Sequence, residues 1–307
     1  MMVRLGIAGT GGMAEYQAKK FALLPDCVLS ACKDHKLDHA RAFAQRFAIP
    51  LAFDSIADLL DSGSCDALYC AVLDSRHRDI AGAALARGFP VLCEKPLART
   101  LADSRYLAEL AEKTGLPTMV NFSKRNAPAL HALRAILDAG RLGTLLSVTA
   151  EYRQGWVTNL AWGDWRIIPR WRWRLLPGES TGGVLGDLGS HLADALLFLF
   201  GGLRAPRPSS ALSLDDALAT RRLGAIAVPD EFRGHARPVL VAFSAEAETP
   251  AGCPVRLSAT WIDSAAADEF ALTLRGSRAT AVLDLRRSRD GVFITGPAWE
   301  LLFQALP

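Results

Sequence analysis

The chain has 307 residues, half of them apolar and 22% charged, which suits a soluble protein with two domains and two cores. A formal charge of +3 is too small to point to nucleic acid or a membrane surface. The six cysteines (Cys27, Cys32, Cys65, Cys70, Cys93 and Cys253) form no CxxC pair and no zinc-finger spacing with histidine, so they read as small hydrophobes of a reducing cytoplasm, not as a disulfide scaffold.

Residues 3–9 (VRLGIAG) predict a strand that runs straight into a glycine turn, so no targeting segment is expected in this stretch. Residues 12–24 then predict a helix, 27–32 a strand, 38–47 a helix and 65–71 (CDALYCA) a strand. A helix over 76–87, a short strand over 90–93, a helix over 101–114 and a strand over 117–121 close the series. Continuous apolar strands between helices mean a parallel sheet covered on both faces. Thr100 and Asp103 look like a capping pair.

After Asn121 the pattern changes. A helix over 126–139 ends at Gly140, and 144–154 (TLLSVTAEYRQ) alternates as a strand with one wet face does. Similar strands are expected over 255–262, 270–274, 279–285 and 291–295. The stretch 204–237, rich in Pro, Arg and Ser, predicts a long connection with little regular structure. The apolar helix near 192–200 is far too short to cross a bilayer. The expected fold is α/β: a doubly wound parallel sheet over 1–122, then an α+β domain over 123–307 with a mixed, largely antiparallel open sheet.

Three motifs carry chemistry. Gly9-Thr10-Gly11-Gly12-Met13-Ala14 fits the G-x-G-x-x-A dinucleotide fingerprint. Gly9 permits the tight turn, Gly11 lets backbone approach a pyrophosphate, and Ala14 lets the helix pack close to the strand. Asp34, at the end of the second strand, stands where an acid would bind the ribose hydroxyls. That carboxylate favours NAD, while Lys33, His35 and Lys36 around it could accept the extra phosphate of NADP. The second motif is Cys93-Glu94-Lys95-Pro96-Leu97, and the third runs from Gly182 to Asp194 and contains Asp187 and His191.

With these motifs the chain resembles the glucose–fructose oxidoreductase and inositol dehydrogenase family (Gfo/Idh/MocA). Trp173-Arg174 and His77 also look like the family, whereas its Thr-Pro after the fourth strand is replaced by Val72-Leu73. The resemblance implies that Lys95, Asp187 and His191 are catalytic. It places His77, Glu94 and Lys95 by the cofactor, and Trp173 and Arg174 with Asp187 and His191 by the substrate. The implied reaction is NAD(P)-dependent oxidation of a ring hydroxyl on a sugar, sugar acid or cyclitol, or its reversal, without a metal. A lyase or glycosidase that recycles its hydride, and a silent nucleotide sensor, are the alternatives.

A helix would put Asp187 and His191 on one face, with Gly189 interrupting so that Asp187 lies outside and Ser190 near the cap. Asp194 could then fix the His191 tautomer or pair elsewhere. The stretch 156–174 holds Trp156, Trp162, Trp165, Trp171 and Trp173 with Arg166, Arg170, Arg172 and Arg174. It could bind nucleic acid, make a subunit contact or line a substrate pocket. The low net charge disfavours nucleic acid. The expected partners are a small carbohydrate or cyclitol and further copies of the chain, as a homodimer or homotetramer, with no nucleic acid and no membrane.

Overall fold

A computed structural model of the protein describes residues 2–176, 182–224, 226–235 and 239–296; the Arg170 side chain falls outside that description. The chain divides into two compact units, Met1–Asn121 and Phe122–Pro307.

The first unit alternates strand and helix. Its elements are β1 (Val3–Ala8), α1 (Gly12–Phe21), β2 (Cys27–Lys33), α2 (Leu37–Phe47), β3 (Leu51–Phe53), α3 (Ile56–Asp61), β4 (Ala67–Cys70), α4 (His77–Ala86), β5 (Val91–Cys93), α5 (Leu101–Thr114) and β6 (Thr118–Val120). The sheet order is β3-β2-β1-β4-β5-β6 and every neighbouring pair is parallel. This is the doubly wound order of a Rossmann fold, whose strand order reverses between β1 and β4. One apolar cluster gathers Leu5, Ile7, Ala14, Ala18 and Phe43, and a second gathers Ala8, Leu59, Leu68, Ile80 and Leu107. Thr100 caps α5 as the sequence suggests: its Oγ1 accepts from the Asp103 N–H at 3.1 Å and donates to the Asp103 carboxylate at 2.7 Å. Nothing in the hydrophobic period announces β3 or α3, because three and six residues are too short to show one.

The second unit holds α6 (Pro128–Asp138), β7 (Leu145–Arg153), α7 (Trp156–Asn159), α8 (Pro169–Arg172), α9 (Ser190–Phe200), β8 (Arg204–Ser213), α10 (Leu214–Ala219), β9 (Leu240–Glu248), β10 (Pro254–Thr260), β11 (Glu269–Gly276), β12 (Thr280–Asp284) and β13 (Phe293–Thr295). Its seven-stranded sheet runs β13-β12-β11-β7-β10-β9-β8. Only β7 and β10 pair in parallel; the other neighbours are antiparallel. Val148, Ala150 and Tyr152 of β7 turn inward by strict alternation and join the α6 and α9 side chains in one core.

The stretch 204–237 is not the irregular connection expected from its composition. Its first ten residues form β8, and α10 follows with a complete capping box between Ser213 and Asp216. The composition misleads because β8 is an edge strand. Residues 204–211 are exposed, so no apolar face marks them, and an edge tolerates Pro206 and Pro208. The strand β9, beside it, is also additional to the expected set.

Candidate functional site

In the first unit the fingerprint residues occupy the turn between β1 and α1. Gly9 has φ +94°, and a Cβ there would lie 2.5 Å from the Ala71 carbonyl oxygen, so only glycine fits. Gly11 is extended, with no heavy atom within 4 Å of where its Cβ would stand. Thr10 is half-buried, Ala14 is fully buried, and Gly12 and Met13 are exposed. The N–H groups of the first helical turn have no acceptor within their own helix and meet this open ground. The residues therefore fit a pyrophosphate cradled at a helix N-terminus.

The Asp34 carboxylate is held beside that turn. It accepts from the Thr10 hydroxyl at 2.7 Å, the Thr10 N–H at 3.2 Å and the Lys36 N–H at 3.2 Å. His35 Nδ1 lies 2.8 Å away and His39 Nδ1 3.8 Å away. Burial pushes its pKa up, but the Thr10 and Lys36 hydrogen bonds and the neighbouring His35 outweigh burial and hold it below the ordinary value. Lys33 is buried in β2, while Lys36 is exposed.

Glu94 closes the end of β5. Buried, it accepts from the Tyr69 hydroxyl and from Asn121 Nδ2, both at 2.6 Å. Burial and then the Glu94 charge push the Tyr69 phenol far above its ordinary value. Glu94 is thus an anchor across the strand ends, and Lys95 follows it, half-buried, on a cis peptide bond to Pro96. His77 is buried at the start of α4, its Nδ1 3.1 Å from the carbonyls of both Pro96 and Leu97, its Nε2 3.2 Å from that of Val72. It ties the Lys95 loop to the loop after β4.

In the second unit Asp187 and His191 lie on one continuous helical stretch. Residues Leu185–Gly189 form a π-helical turn that passes directly into α9. Gly189 does not interrupt, and Asp187 is not outside: Gly189 has ordinary helical angles, and the Ser190 hydroxyl donates back to the Asp187 carbonyl at 3.3 Å. The glycine serves close packing instead, since a Cβ there would lie 2.8 Å from the Phe243 ring. His191 is buried, with the Phe122 ring centroid at 5.8 Å and that of Tyr152 at 6.0 Å. Arg174 lies 3.9 Å from the Asp187 carboxylate, and its guanidinium stacks 4.5 Å from Trp173 and 5.1 Å from Trp171. Asp194 takes the second of its two expected roles: it pairs with Arg125, whose Nε donates at 3.1 Å.

Most of the tryptophan–arginine stretch is core. Trp156 and Trp165 are fully buried, and Trp162 and Trp171 pack against them. Trp156 and Trp162 stack at 6.0 Å, and the Trp165 and Trp171 indole N–H groups donate to the carbonyls of Val157 and Trp162. Arg166 binds Asp164 and Arg172 binds Glu231. Sequence reasoning missed the polar group beside His191. Tyr152 is buried and electrostatically linked to Asp268 and Asp187; burial first, then the Asp268 charge, raise its phenol well above the usual value. Lys124 lies 4.9 Å over the Tyr152 ring and 3.3 Å from Asp268, which also accepts from Gln154 at 2.8 Å. The alternation of β7 marks Tyr152 as inward-facing, but no motif marks its partners.

Comparison with known proteins gives the class. Residues 3–122 match the family model described as an oxidoreductase family with an NAD-binding Rossmann fold, and residues 130–282 match the GFO/IDH/MocA C-terminal domain. The chain belongs to the Gfo/Idh/MocA oxidoreductase family, and its first unit is an NAD-binding Rossmann fold. It is 27% identical over 199 residues to glucose-6-phosphate 3-dehydrogenase of Bacillus subtilis (strain 168), covering 65% of this chain and 54% of that one. It is 31% identical over 214 residues to trans-1,2-dihydrobenzene-1,2-diol dehydrogenase of Mus musculus, covering 68% and 60%. The matched stretch thus spans little more than half the length of these relatives. A solved levoglucosan dehydrogenase in complex with NADH has the same fold, with a TM-score of 0.82 at 21% identity, covering 100% of this chain and 80% of that one. Among the described residues no helix is long and apolar enough to cross a membrane.

Proposed function

We propose that this protein is an NAD(P)-dependent dehydrogenase acting on a secondary hydroxyl, or the matching ketone, of a sugar, sugar acid or cyclitol. The observation that carries the reading is the open helix N-terminus at Gly11 beside a carboxylate already fixed by Thr10. In an NAD-binding family this is a seat for pyrophosphate and ribose. The names of the two relatives, both dehydrogenases of ring hydroxyls, support the substrate class.

Oxidising such an alcohol removes a hydride from carbon and a proton from oxygen. Bound nicotinamide supplies the hydride acceptor. In the proposal Gly9, Thr10, Gly11, Gly12, Met13, Ala14 and Asp34 hold the coenzyme, and Glu94 and His77 hold the loop that carries Lys95. His191 takes the hydroxyl proton, as an imidazole can between roughly pH 5 and 8. Lys95 polarises the oxygen as the carbonyl forms. Asp187, with Arg174 beside it, accepts from a neighbouring substrate hydroxyl and fixes its orientation; Trp173 offers a flat face to the ring. We further propose a cytoplasmic homodimer or homotetramer, with six reduced thiols.

The test is a panel of sugars, sugar acids and cyclitols with NAD and with NADP, followed by nicotinamide absorbance. Steady accumulation of reduced coenzyme supports dehydrogenation. Conversion of substrate while the reduced coenzyme stays bound and recycles would favour the lyase or glycosidase reading. A protein that binds neither coenzyme ends the proposal.

A further inference from the structure

Three ligand-type side chains outside the proposed catalytic set meet in the first unit. The sulfurs of Cys70 and Cys93 and a ring nitrogen of His77 all lie within 4.8 Å of one another, and all three residues are buried. Register brings them together. Cys70 ends β4, Cys93 ends β5, and the two are direct partners in the parallel ladder, with a hydrogen bond between their thiols. His77 opens α4 at the same end of the sheet.

Both ring nitrogens of the histidine face backbone carbonyls, and in the neutral ring only one of them carries a proton to donate. Nδ1 faces two carbonyl oxygens, those of Pro96 and Leu97, each at 3.1 Å, so in the neutral ring the N–H belongs on Nδ1. The lone pair then falls on Nε2, whose neighbour at 3.2 Å is the Val72 carbonyl, another acceptor. A cation on Nε2 would replace the Val72 contact and leave Nδ1 donating to a backbone carbonyl, the form a metal-bound histidine takes. Two thiols and one imidazole suit a soft or borderline cation and repel none of the hard-ligand rules, because no carboxylate joins the set. The same donor types occur at zinc centres that keep a fourth position open.

We propose that Cys70, His77 and Cys93 bind one thiophilic divalent cation of the zinc class. Binding forms two metal–sulfur bonds and one metal–nitrogen bond and releases both thiol protons to solvent. Because Nδ1 stays tied to Pro96 and Leu97, the cation also stiffens the loop that carries Lys95. Its effect on turnover rests on the proposed function; its binding does not.

The experiment titrates reduced, metal-free, full-length protein with Co²⁺ alone and then displaces it with Zn²⁺. The expected result is one equivalent of cobalt, a thiolate-to-cobalt charge-transfer band, and loss of that band on adding zinc. Cys70→Ser and Cys93→Ser should each abolish the band and weaken binding by roughly 100-fold or more. Cys253→Ser, in the other unit, should change neither. A wild-type protein with no thiolate band overturns the proposal, as does a band that survives both Cys70→Ser and Cys93→Ser. Cobalt bound with only oxygen and nitrogen signatures would place it at another cluster such as His35, Asp34 and His39, and also overturns it. If a dehydrogenase activity is found, zinc should lower it in the wild type and not in Cys70→Ser. The titration uses no substrate, so its outcome stands whether or not that activity exists.

Discussion

The two units hold their candidate functional side chains by different means. In the first, hydrogen bonds at strand ends do the holding: Thr10 fixes Asp34, and Tyr69 with Asn121 fixes Glu94 next to Lys95. In the second, packing adds to ion pairs such as Arg174–Asp187: His191 lies near the Phe122 and Tyr152 rings, on a helix that approaches β9 closely enough to need Gly189. Directed bonds need few residue types at fixed spacing and leave a motif. Packing needs only shape, which many sequences supply, and leaves little trace.

Removing the chemistry from either unit should cost most. His191→Ala and Lys95→Ala should each lower kcat by about 10²- to 10⁴-fold while coenzyme binding persists; a near-normal rate in single-turnover assays with either variant removes that residue from the mechanism. The glycine turn gives the sharpest contrast within one motif. Gly9→Ala must force a side chain into left-handed backbone against the Ala71 carbonyl, a loss of about 3 kcal/mol or more, seen as a lower Tm. Gly11→Ala meets nothing in the protein, so Tm should hold while the KM for coenzyme rises. If both variants melt alike, the open ground at Gly11 has been misjudged.

Packing in the second unit should respond more gently. Gly189→Ala pushes a methyl towards the Phe243 ring and should cost about 1–3 kcal/mol, with part of the loss recovered by Phe243→Leu. Failure of that second change to help would locate the constraint in the helix itself. The smallest effect concerns Asp34 and acid. Its folded pKa lies below the ordinary value of about 3.9, so its contribution is present above that pH and is lost as pH falls through the folded value. Asp34→Asn should therefore be less stable than the wild type at neutral pH, by about 1 kcal/mol, with the gap closing below about pH 4. A gap that stays constant across that range would show that the bonds from Thr10 and Lys36 do not depend on charge.

Much of the first unit was legible. The strand, the glycine turn and Asp34 stand at the spacing a dinucleotide imposes, and the structure places them together. Thr100 with Asp103 was legible for the same reason: a cap is a local bond between fixed positions. In the second unit resemblance points to Asp187 and His191 as candidates but not to the turn that carries them, since a π-turn has no sequence period of its own. The five tryptophans drew attention as surface or pocket residues, yet Trp156 and Trp165 are buried against Trp261 and Phe232 from distant parts of the chain. Tyr152, Lys124 and Asp268 come from three separated stretches, and only folding reveals that they are neighbours. In β8 the signal failed because an edge strand with eight exposed residues has no buried face to announce it.

The turn at Leu185–Gly189 carries one more residue than an α-helix would use for the same advance. Deleting a single residue there would restore α-helical winding and move the residues of the turn by one position along it, while the apolar side of α9 kept its seat. A lone codon gained or lost at this place could thus re-aim Asp187 past a fixed His191.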